Sequence, residues 1–315
     1  MIKGFLMLSL LLVTMACTSD PPPNIMIREF PNAESLDTEI LDKKISNLLE
    51  NHIFMGYVVA KDQFNILPKH LGDSALFTGL AIASMDQFDV NPVLDHIIGS
   101  GGLIERHPLN PKLSDPSSRD QVIGMMYGLV VRWNRKPEER EKIAKAWKFH
   151  YEYVENLKGK LYPKAGIDKS LNPSLYYLWL EVGKYFGVTE KSGDRNLWLV
   201  GLTTTAIDTN VHKKAAYPMH LSMVQILTAH EIGKPVDNVF RWRWCQESKN
   251  MLIPMIDWYC ERRKADNFLA NYVENEWDYQ HQRAQQYESP DGNNNKSSQL
   301  DFIILHRLST HAIIK

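Results

Sequence analysis

Apolar residues recur along this chain at the spacing of helices. Across residues 35–52 they return every three or four positions, which is the period of one helix face. The segments 73–88 and 119–133 are apolar on nearly every side, whereas 137–157 is amphipathic and begins with proline and three glutamates. Because an inner helix contacts neighbours all round and an outer helix contacts them on one side, the alternation predicts two layers of helices.

The same alternation continues toward the end of the chain, without a convincing strand of period two. Further helices are predicted at 172–187, 194–210, 217–233, 236–263 with a bend at Pro254, 266–277 and 298–309. The sequence therefore predicts an all-α fold of helical hairpins. Gly124 and Gly128 lie four positions apart on one helix face, where we expect a neighbouring helix to approach closely.

The first residues are typical of an export signal. Lys3 precedes a short apolar stretch, and small residues lead to Cys17, so residues 1–16 are predicted to be a signal peptide. The segment before Cys17 resembles the lipobox of bacterial lipoproteins, which implies a lipidated Cys17; the alternative is a plain signal peptide with an incidental cysteine. Residues 17–34 then form a polar, proline-rich tether, and 35–315 form one domain.

Composition excludes several function classes. The 36 basic and 37 acidic residues nearly balance, which predicts no nucleic-acid partner. Histidines and cysteines show no metal-ligand spacing, and no glycine-rich phosphate loop is present, so we expect no metal and no cofactor. Cys245 and Cys260 can pair in an oxidising compartment, but their apolar surroundings favour free, buried thiols.

Several segments resemble the six-hairpin, (α/α)6-toroid superfamily, which includes glycoside hydrolases, unsaturated glucuronyl hydrolases and polysaccharide lyases. The resemblance covers most of residues 40–309 and is one of pattern, without a match to one characterised family. It implies an (α/α)6-type toroid whose inner helices begin around a common funnel that holds the substrate. The segments are "GDSALFTGLAIAS" (72–84), "SRDQVIGMMYGL" (118–129), "YPMHLSMVQ" (217–225), "ADNFLANYV" (265–273), "EWDYQHQR" (276–283) and "LDFIILHRL" (300–308).

Asp73 and Asp120 are the candidate catalytic residues, because each stands where an apolar helix is predicted to begin. Carbohydrate hydrolysis commonly needs two carboxyl groups, one as acid and one as base or nucleophile. A helix N-terminus stabilises an ionised carboxylate, which suits the role of base. The alternative is that each aspartate only caps its helix, since Asp is among the best N-cap residues.

Candidate substrate-binding residues surround these two positions. Arg119 has the planar guanidinium that suits the carboxylate of an acidic sugar, or it forms a salt bridge within the fold. Glu105, Arg106 and His107 follow a Gly-Gly turn and form either an acid or substrate clamp or a set of solvated loop charges.

Two further groups complete the predicted site. Tyr217 and His220 lie in the first turn of a predicted helix, where His220 is either a hydrogen-bond donor to a sugar or an interior residue with satisfied nitrogens. Trp277, Tyr279 and Arg283 alternate in a segment that either lines the funnel or packs the last hairpins.

These features predict an exported, lipid-anchored, carbohydrate-active protein. The expected activity is that of a glycoside hydrolase or polysaccharide lyase, and the expected partners are an oligo- or polysaccharide and the membrane that holds the lipid. In a Gram-negative cell the anchor is expected in the outer membrane. The alternative is a non-catalytic, glycan-binding or structural lipoprotein on the same scaffold.

Overall fold

The computed structural model describes residues 38–59, 71–109, 116–162, 170–212, 217–248, 254–260, 303–304 and 307. Within these ranges most residues are helical, which confirms the predicted all-α class. The elements are α1 (Thr38–Asn51), β1 (Ile53–Phe54), β2 (Tyr57–Val58), α2 (Ser74–Ser84), α3 (Asn91–Gly99), α4 (Arg119–Arg135), α5 (Arg140–Asn156), α6 (Pro173–Tyr185), α7 (Arg195–His212), α8 (Tyr217–Glu231), α9 (Asn238–Glu247) and α10 (Pro254–Tyr259).

Three features differ from the predicted elements. The helix expected across 236–263 is two helices, because α9 ends at Glu247 and α10 begins at Pro254, a residue that suits the first turn of a helix. Helix α3 was not predicted. Neither was the antiparallel pair β1–β2, whose Met55-Gly56 turn has positive φ angles of 52° and 80°.

Helices α2 and α4 form the centre of the described fold. Every residue of α2 is buried. A Cβ atom placed on Gly124 would lie 2.5 Å from the carbonyl oxygen of Leu76, and one on Gly128 would lie 2.4 Å from that of Gly79. The predicted close approach at these glycines is therefore confirmed, and the order of the contacts shows that the two helices run parallel.

The C-terminal ends of α4, α6 and α8 lie close together. The side-chain amide of Asn134 on α4 donates to the Glu231 carboxylate at the end of α8 over 3.0 Å. The hydroxyl of Tyr185 at the end of α6 donates to the Asn134 side chain. Helix α5 runs the other way beside α6, since Glu155 near its end accepts from Tyr176 near the start of α6.

Helix α8 packs directly along α4. In a ring of hairpins taken strictly in chain order, α6 would separate these two helices. Helix α6 instead pairs with α7, and α7 packs in turn against α8 and α9. The hairpins are therefore present, but the described helices do not follow a simple sequential order around a ring.

Cys245 and Cys260 form a disulfide that links α9 to the residue after α10. The expectation of two free thiols was wrong. The packing of the two segments places the Cα atoms 5.6 Å apart, within the range that a disulfide bridges. Helices in the described ranges lack the combined length and apolar character that crossing a bilayer requires.

Candidate functional site

The loop between α3 and α4 is anchored firmly against α5. Gly101 and Gly102 have φ angles of 72° and 106°, which favour glycine. A Cβ atom on Gly102 would lie 2.1 Å from the carbonyl oxygen of Phe149, so only glycine fits this approach. The Nδ1–H of buried His150 donates to the Gly102 carbonyl over 2.9 Å. The predicted Gly-Gly turn therefore fixes the position of the residues that follow it.

The same loop reaches the N-terminus of α2. The Arg106 amide donates to the Pro116 carbonyl over 2.8 Å, and the Arg106 carbonyl accepts from the Ala75 amide over 2.9 Å. One of the amides that a helix start leaves without an internal partner is thus satisfied by the loop backbone. Backbone hydrogen bonds therefore join this loop to the start of α2.

Asp73 immediately precedes α2, but its side chain makes no capping hydrogen bond to the helix. Its Oδ1 instead accepts from the guanidinium of Arg106 over 3.2 Å and from the side-chain amide of Gln121 over 3.3 Å. Asp73 is 3% exposed. The alternative prediction, that Asp73 only caps α2 through its side chain, was wrong, because a buried ion pair with Arg106 holds its carboxylate.

Gln121, which lies on the neighbouring helix α4, caps the N-terminus of α2 in place of Asp73. Its Oε1 accepts from the Leu76 amide over 3.0 Å, and its side chain is fully buried. Sequence reasoning missed this residue. The available signal was a lone uncharged polar residue inside the apolar run of α4, and such a residue needs a partner when it is buried.

Glu105 forms a close pair with His96, which lies in the last turn of α3. The Glu105 Oε2 and His96 Nε2 atoms are 2.6 Å apart, and 11% of the glutamate side chain and 24% of the histidine side chain are exposed. The ring of Tyr57 packs edge-on at 6.0 Å from the His96 ring. Burial and the negative charge of Glu105 raise the pKa of Tyr57. A carboxylate and an imidazole in this contact can exchange a proton, and solvent reaches the pair.

His107 is fully buried and bonds to backbone groups, and its predicted role in substrate binding stays a prediction. Its Nδ1 accepts from the Leu109 amide over 3.1 Å, so its Nε2 carries the hydrogen and donates to the Phe54 carbonyl over 3.3 Å. Burial is the largest cause that lowers the pKa of His107 to about 4. The ring is therefore neutral at pH 7 and has both nitrogens bound to the backbone. Glu105 and Arg106 are also paired, so the alternative prediction of a set of solvated loop charges was wrong.

We call these residues around the start of α2 the polar cluster: Tyr57, Asp73, His96, Glu105, Arg106, His107 and Gln121. The other predicted residues lie outside it. Asp120 is half-buried in the first turn of α4, and Arg119 is exposed at its start. His220 is half-buried in α8, which begins at Tyr217.

Several predicted residues lie outside the described ranges. These are the lipidation residue Cys17 and the three residues predicted to line the funnel, Trp277, Tyr279 and Arg283. In the part of the chain that the structure describes, no three His, Cys, Asp or Glu side chains are grouped so that they can hold a metal ion.

Comparison of this chain with protein-family models, with curated proteins and with solved structures found no match.

Proposed function

We propose that this chain is an exported carbohydrate-active protein, a glycoside hydrolase or polysaccharide lyase, whose glycan site adjoins the polar cluster. The Glu105–His96 pair is the observation that carries the proposal. It joins two ionisable groups at 2.6 Å, at a position that solvent reaches, on a loop that its backbone contacts hold in place. Such fixed and paired groups are typical of acid–base catalysis.

Both reactions need a proton donor at the oxygen that leaves the sugar. Hydrolysis also needs a base or nucleophile, and a lyase needs a base that removes a proton beside the sugar carboxylate. The Glu105–His96 pair supplies the donor. Asp120, which lies half-buried in the first turn of α4, supplies the second carboxylate.

Asp73 has a supporting role in this proposal. Its carboxylate lies between Arg106 and Gln121 and is almost completely buried, so it positions the loop and does not attack substrate. Arg119 is exposed at the start of α4, where its guanidinium can bind the carboxylate of an acidic sugar.

We also propose that the helical hairpins form a variant of the α/α toroid. The fully buried α2, the amphipathic α5 and the antiparallel pairing of α5 with α6 support this arrangement. The direct packing of α8 on α4 requires an order of inner helices that differs from the chain order.

The proposed location is the cell envelope, with the chain anchored through a lipid on Cys17. The Cys245–Cys260 disulfide supports export, because disulfides persist mainly in oxidising compartments. Cys17→Ser should move the protein from the membrane fraction to the soluble fraction. An unchanged membrane fraction would contradict the lipid anchor.

A panel of neutral and acidic polysaccharides tests the proposed activity. New reducing ends without an unsaturated product indicate hydrolysis, whereas new absorbance from a double bond indicates a lyase. We expect one of the two products from the parent and a large loss in His96→Gln, with Glu141→Gln on the exposed face of α5 as the control. Binding without either product, unchanged in His96→Gln, would assign the non-catalytic role instead.

A further inference from the structure

The C-terminal ends of α4, α6 and α8 hold a second group of polar side chains, which the proposed function does not use. We call this group the α8-end cluster: Tyr127, Asn134 and Arg135 on α4, Tyr185 on α6 and Glu231 on α8. Arg135 reaches the end of α2, where its Nη1 donates to the Ala83 carbonyl over 3.0 Å. The polar cluster surrounds the other end of α2, which has 11 residues, so the two clusters lie about 15 Å apart.

Glu231, the last residue of α8, is held so that one of its carboxylate oxygens stays open. The side-chain amide of Asn134 donates to Oε2 over 3.0 Å and to the Glu231 carbonyl over 3.2 Å. The hydroxyl of Tyr185 donates to the other end of the same amide, which fixes its orientation. Burial raises the pKa of Glu231. Within the described ranges, Oε1 of this half-buried carboxylate has no hydrogen-bond or ion-pair partner.

Arg135, the last residue of α4, is a half-buried cation near this carboxylate. Burial lowers the pKa of Arg135, and the negative charge of Glu231 acts in the opposite direction. Glu231 is therefore near enough to influence the guanidinium, although it lies beyond the 4.0 Å limit of an ion pair. In the described part of the chain the Ala83 carbonyl is the one acceptor of this guanidinium, which leaves most of its N–H groups for a ligand.

Tyr127 supplies a buried hydroxyl beside both charges. It lies seven residues before Asn134, which is two turns along the same face of α4. Burial raises the pKa of Tyr127, the charge of Glu231 raises it further and the charge of Arg135 lowers it. Tyr127 is 3% exposed, and no described residue forms a hydrogen bond with its hydroxyl. Because an unpaired buried hydroxyl costs free energy, a ligand that accepts from it is stabilised.

Other buried charges of this protein have ion-pair partners. Arg132, one turn earlier on α4, donates to both carboxylate oxygens of Glu139 over 2.6 and 2.8 Å. Buried Glu181 pairs with Lys234 at 3.0 Å. A desolvated charge without a partner is costly, so two opposite charges that lie near each other without pairing are unusual. This arrangement indicates that both charges are kept for a ligand.

We propose that the α8-end cluster binds a free α-amino acid. The ammonium group of the amino acid contacts Oε1 of Glu231, and its carboxylate contacts the guanidinium of Arg135 and accepts from the Tyr127 hydroxyl. A zwitterion carries opposite charges a few bonds apart, so it satisfies both protein charges at once. A simple anion is repelled by Glu231, and a simple cation is repelled by Arg135. The site shares no residue with the proposed glycan site.

Saturation-transfer NMR of the full chain in mild detergent tests the proposal, with the common L-amino acids as probes, first in pools and then singly. Calorimetry then measures the dissociation constant of each probe that binds. We expect at least one amino acid to bind. Its N-acetyl derivative lacks the ammonium group and its amide lacks the carboxylate, so each should bind at least about tenfold more weakly. These comparisons use the parent chain and do not depend on the folding of a variant.

Two variants assign the charges to their partners. Glu231→Gln and Arg135→Gln should each raise the dissociation constant at least about tenfold. Glu231→Gln should also lose the preference over the N-acetyl derivative but keep the preference over the amide. The matched control, Glu138→Gln at an exposed position just after α4, should bind as the parent does. Melting curves of all variants show that each is folded.

Two cross-tests separate this site from the proposed glycan site. His96→Gln should bind the amino acid as the parent does, and Glu231→Gln should keep parental turnover of polysaccharide. The proposal is therefore tested even if no polysaccharide is cleaved.

Four results would overturn the proposal. The first is no binding by any probe up to about 10 mM. The second is equal affinity for a probe and both of its derivatives. The third is parental affinity in both Glu231→Gln and Arg135→Gln, which would place the probe elsewhere. The fourth is binding that amidation abolishes and N-acetylation leaves unchanged, which would assign the cluster to a simple carboxylate.

Discussion

At the scale of single residues, Gln121 connects the two central helices. Its side chain accepts from the Leu76 amide and donates to Asp73 while fully buried. Gln121→Leu leaves both partners without this bond and should lower the free energy of unfolding by about 1–3 kcal/mol. Urea denaturation of this variant and of Gln246→Leu, an exposed site on α9, provides the comparison. Equal losses in the two variants would show that the bonds of Gln121 do not contribute.

The buried histidines make stability depend on pH. The pKa of His107 is about 4 in the folded chain and about 6.5 when unfolded, so the unfolded state binds the proton more readily. His107 therefore contributes fully to the free energy of unfolding above pH 6.5, and this contribution is lost as the pH falls toward 4. His150, whose pKa burial also lowers to about 4, acts in the same direction.

His107→Gln tests this linkage directly. Between pH 7 and pH 4.5 the variant should lose about 2–3 kcal/mol less stability than the parent, because it has no imidazole to protonate at that site. Urea unfolding of the parent and of the variant at the two pH values measures the loss of unfolding free energy in each protein. A loss as large in the variant as in the parent would mean that His107 is not buried as a neutral ring.

The residues of the polar cluster were predictable only in part. Asp73, Glu105 and Arg106 could be selected because charges beside apolar helices are conspicuous in a sequence. Their partners Gln121 and His96 could not, because a pairing across 48 or 9 residues depends on how the helices pack. The helical position of Gln121 was predicted, but its role as a cap on another helix was not.

At the scale of elements, the close approach of α2 and α4 depends on glycines. A Cβ atom on Gly128 would lie 2.4 Å from the Gly79 carbonyl oxygen, and that neighbour is backbone. Gly128→Ala should therefore destabilise the protein by about 1–3 kcal/mol, although alanine is the better helix former.

Gly99→Ala is the matched control for this prediction. Gly99 also lies in a helix, but a Cβ atom there would meet nothing within 4 Å. This substitution should leave the midpoint of thermal unfolding unchanged or raise it. Similar midpoints of thermal unfolding in Gly128→Ala and Gly99→Ala would contradict this prediction, because they would show that α2 and α4 can move apart to accommodate the added methyl group without loss of stability.

Element prediction succeeded where apolar runs were long and failed where elements were short. The buried α2 and the amphipathic α5 followed from periodicity, to within a few residues at each end. Helix α3 has nine residues, of which Val93, Leu94 and Ile97 are buried, so its pattern is too brief to stand out. Strands β1 and β2 have two residues each and form no alternation that a sequence can reveal.

At the scale of the whole molecule, the sequence predicted helical hairpins, but it did not predict which helices pack against one another. Which inner helix packs beside α4 depends on side-chain fit between distant segments, and α8 occupies that place. The Cys245–Cys260 disulfide was missed for the same reason, because composition cannot show that two thiols meet. Export, a glycan partner and an amino-acid site at the C-terminal end of α8 are the properties proposed for the assembled molecule.

Turnover by Glu105→Gln tests the central claim most directly, measured on the polysaccharide that the parent cleaves and on preparations with recorded melting curves. Glutamine keeps the size of the side chain but cannot exchange a proton with His96. We predict a folded protein whose turnover falls at least about a hundredfold, while Glu141→Gln retains parental turnover. Parental turnover in folded Glu105→Gln would contradict the assignment of proton transfer to the Glu105–His96 pair.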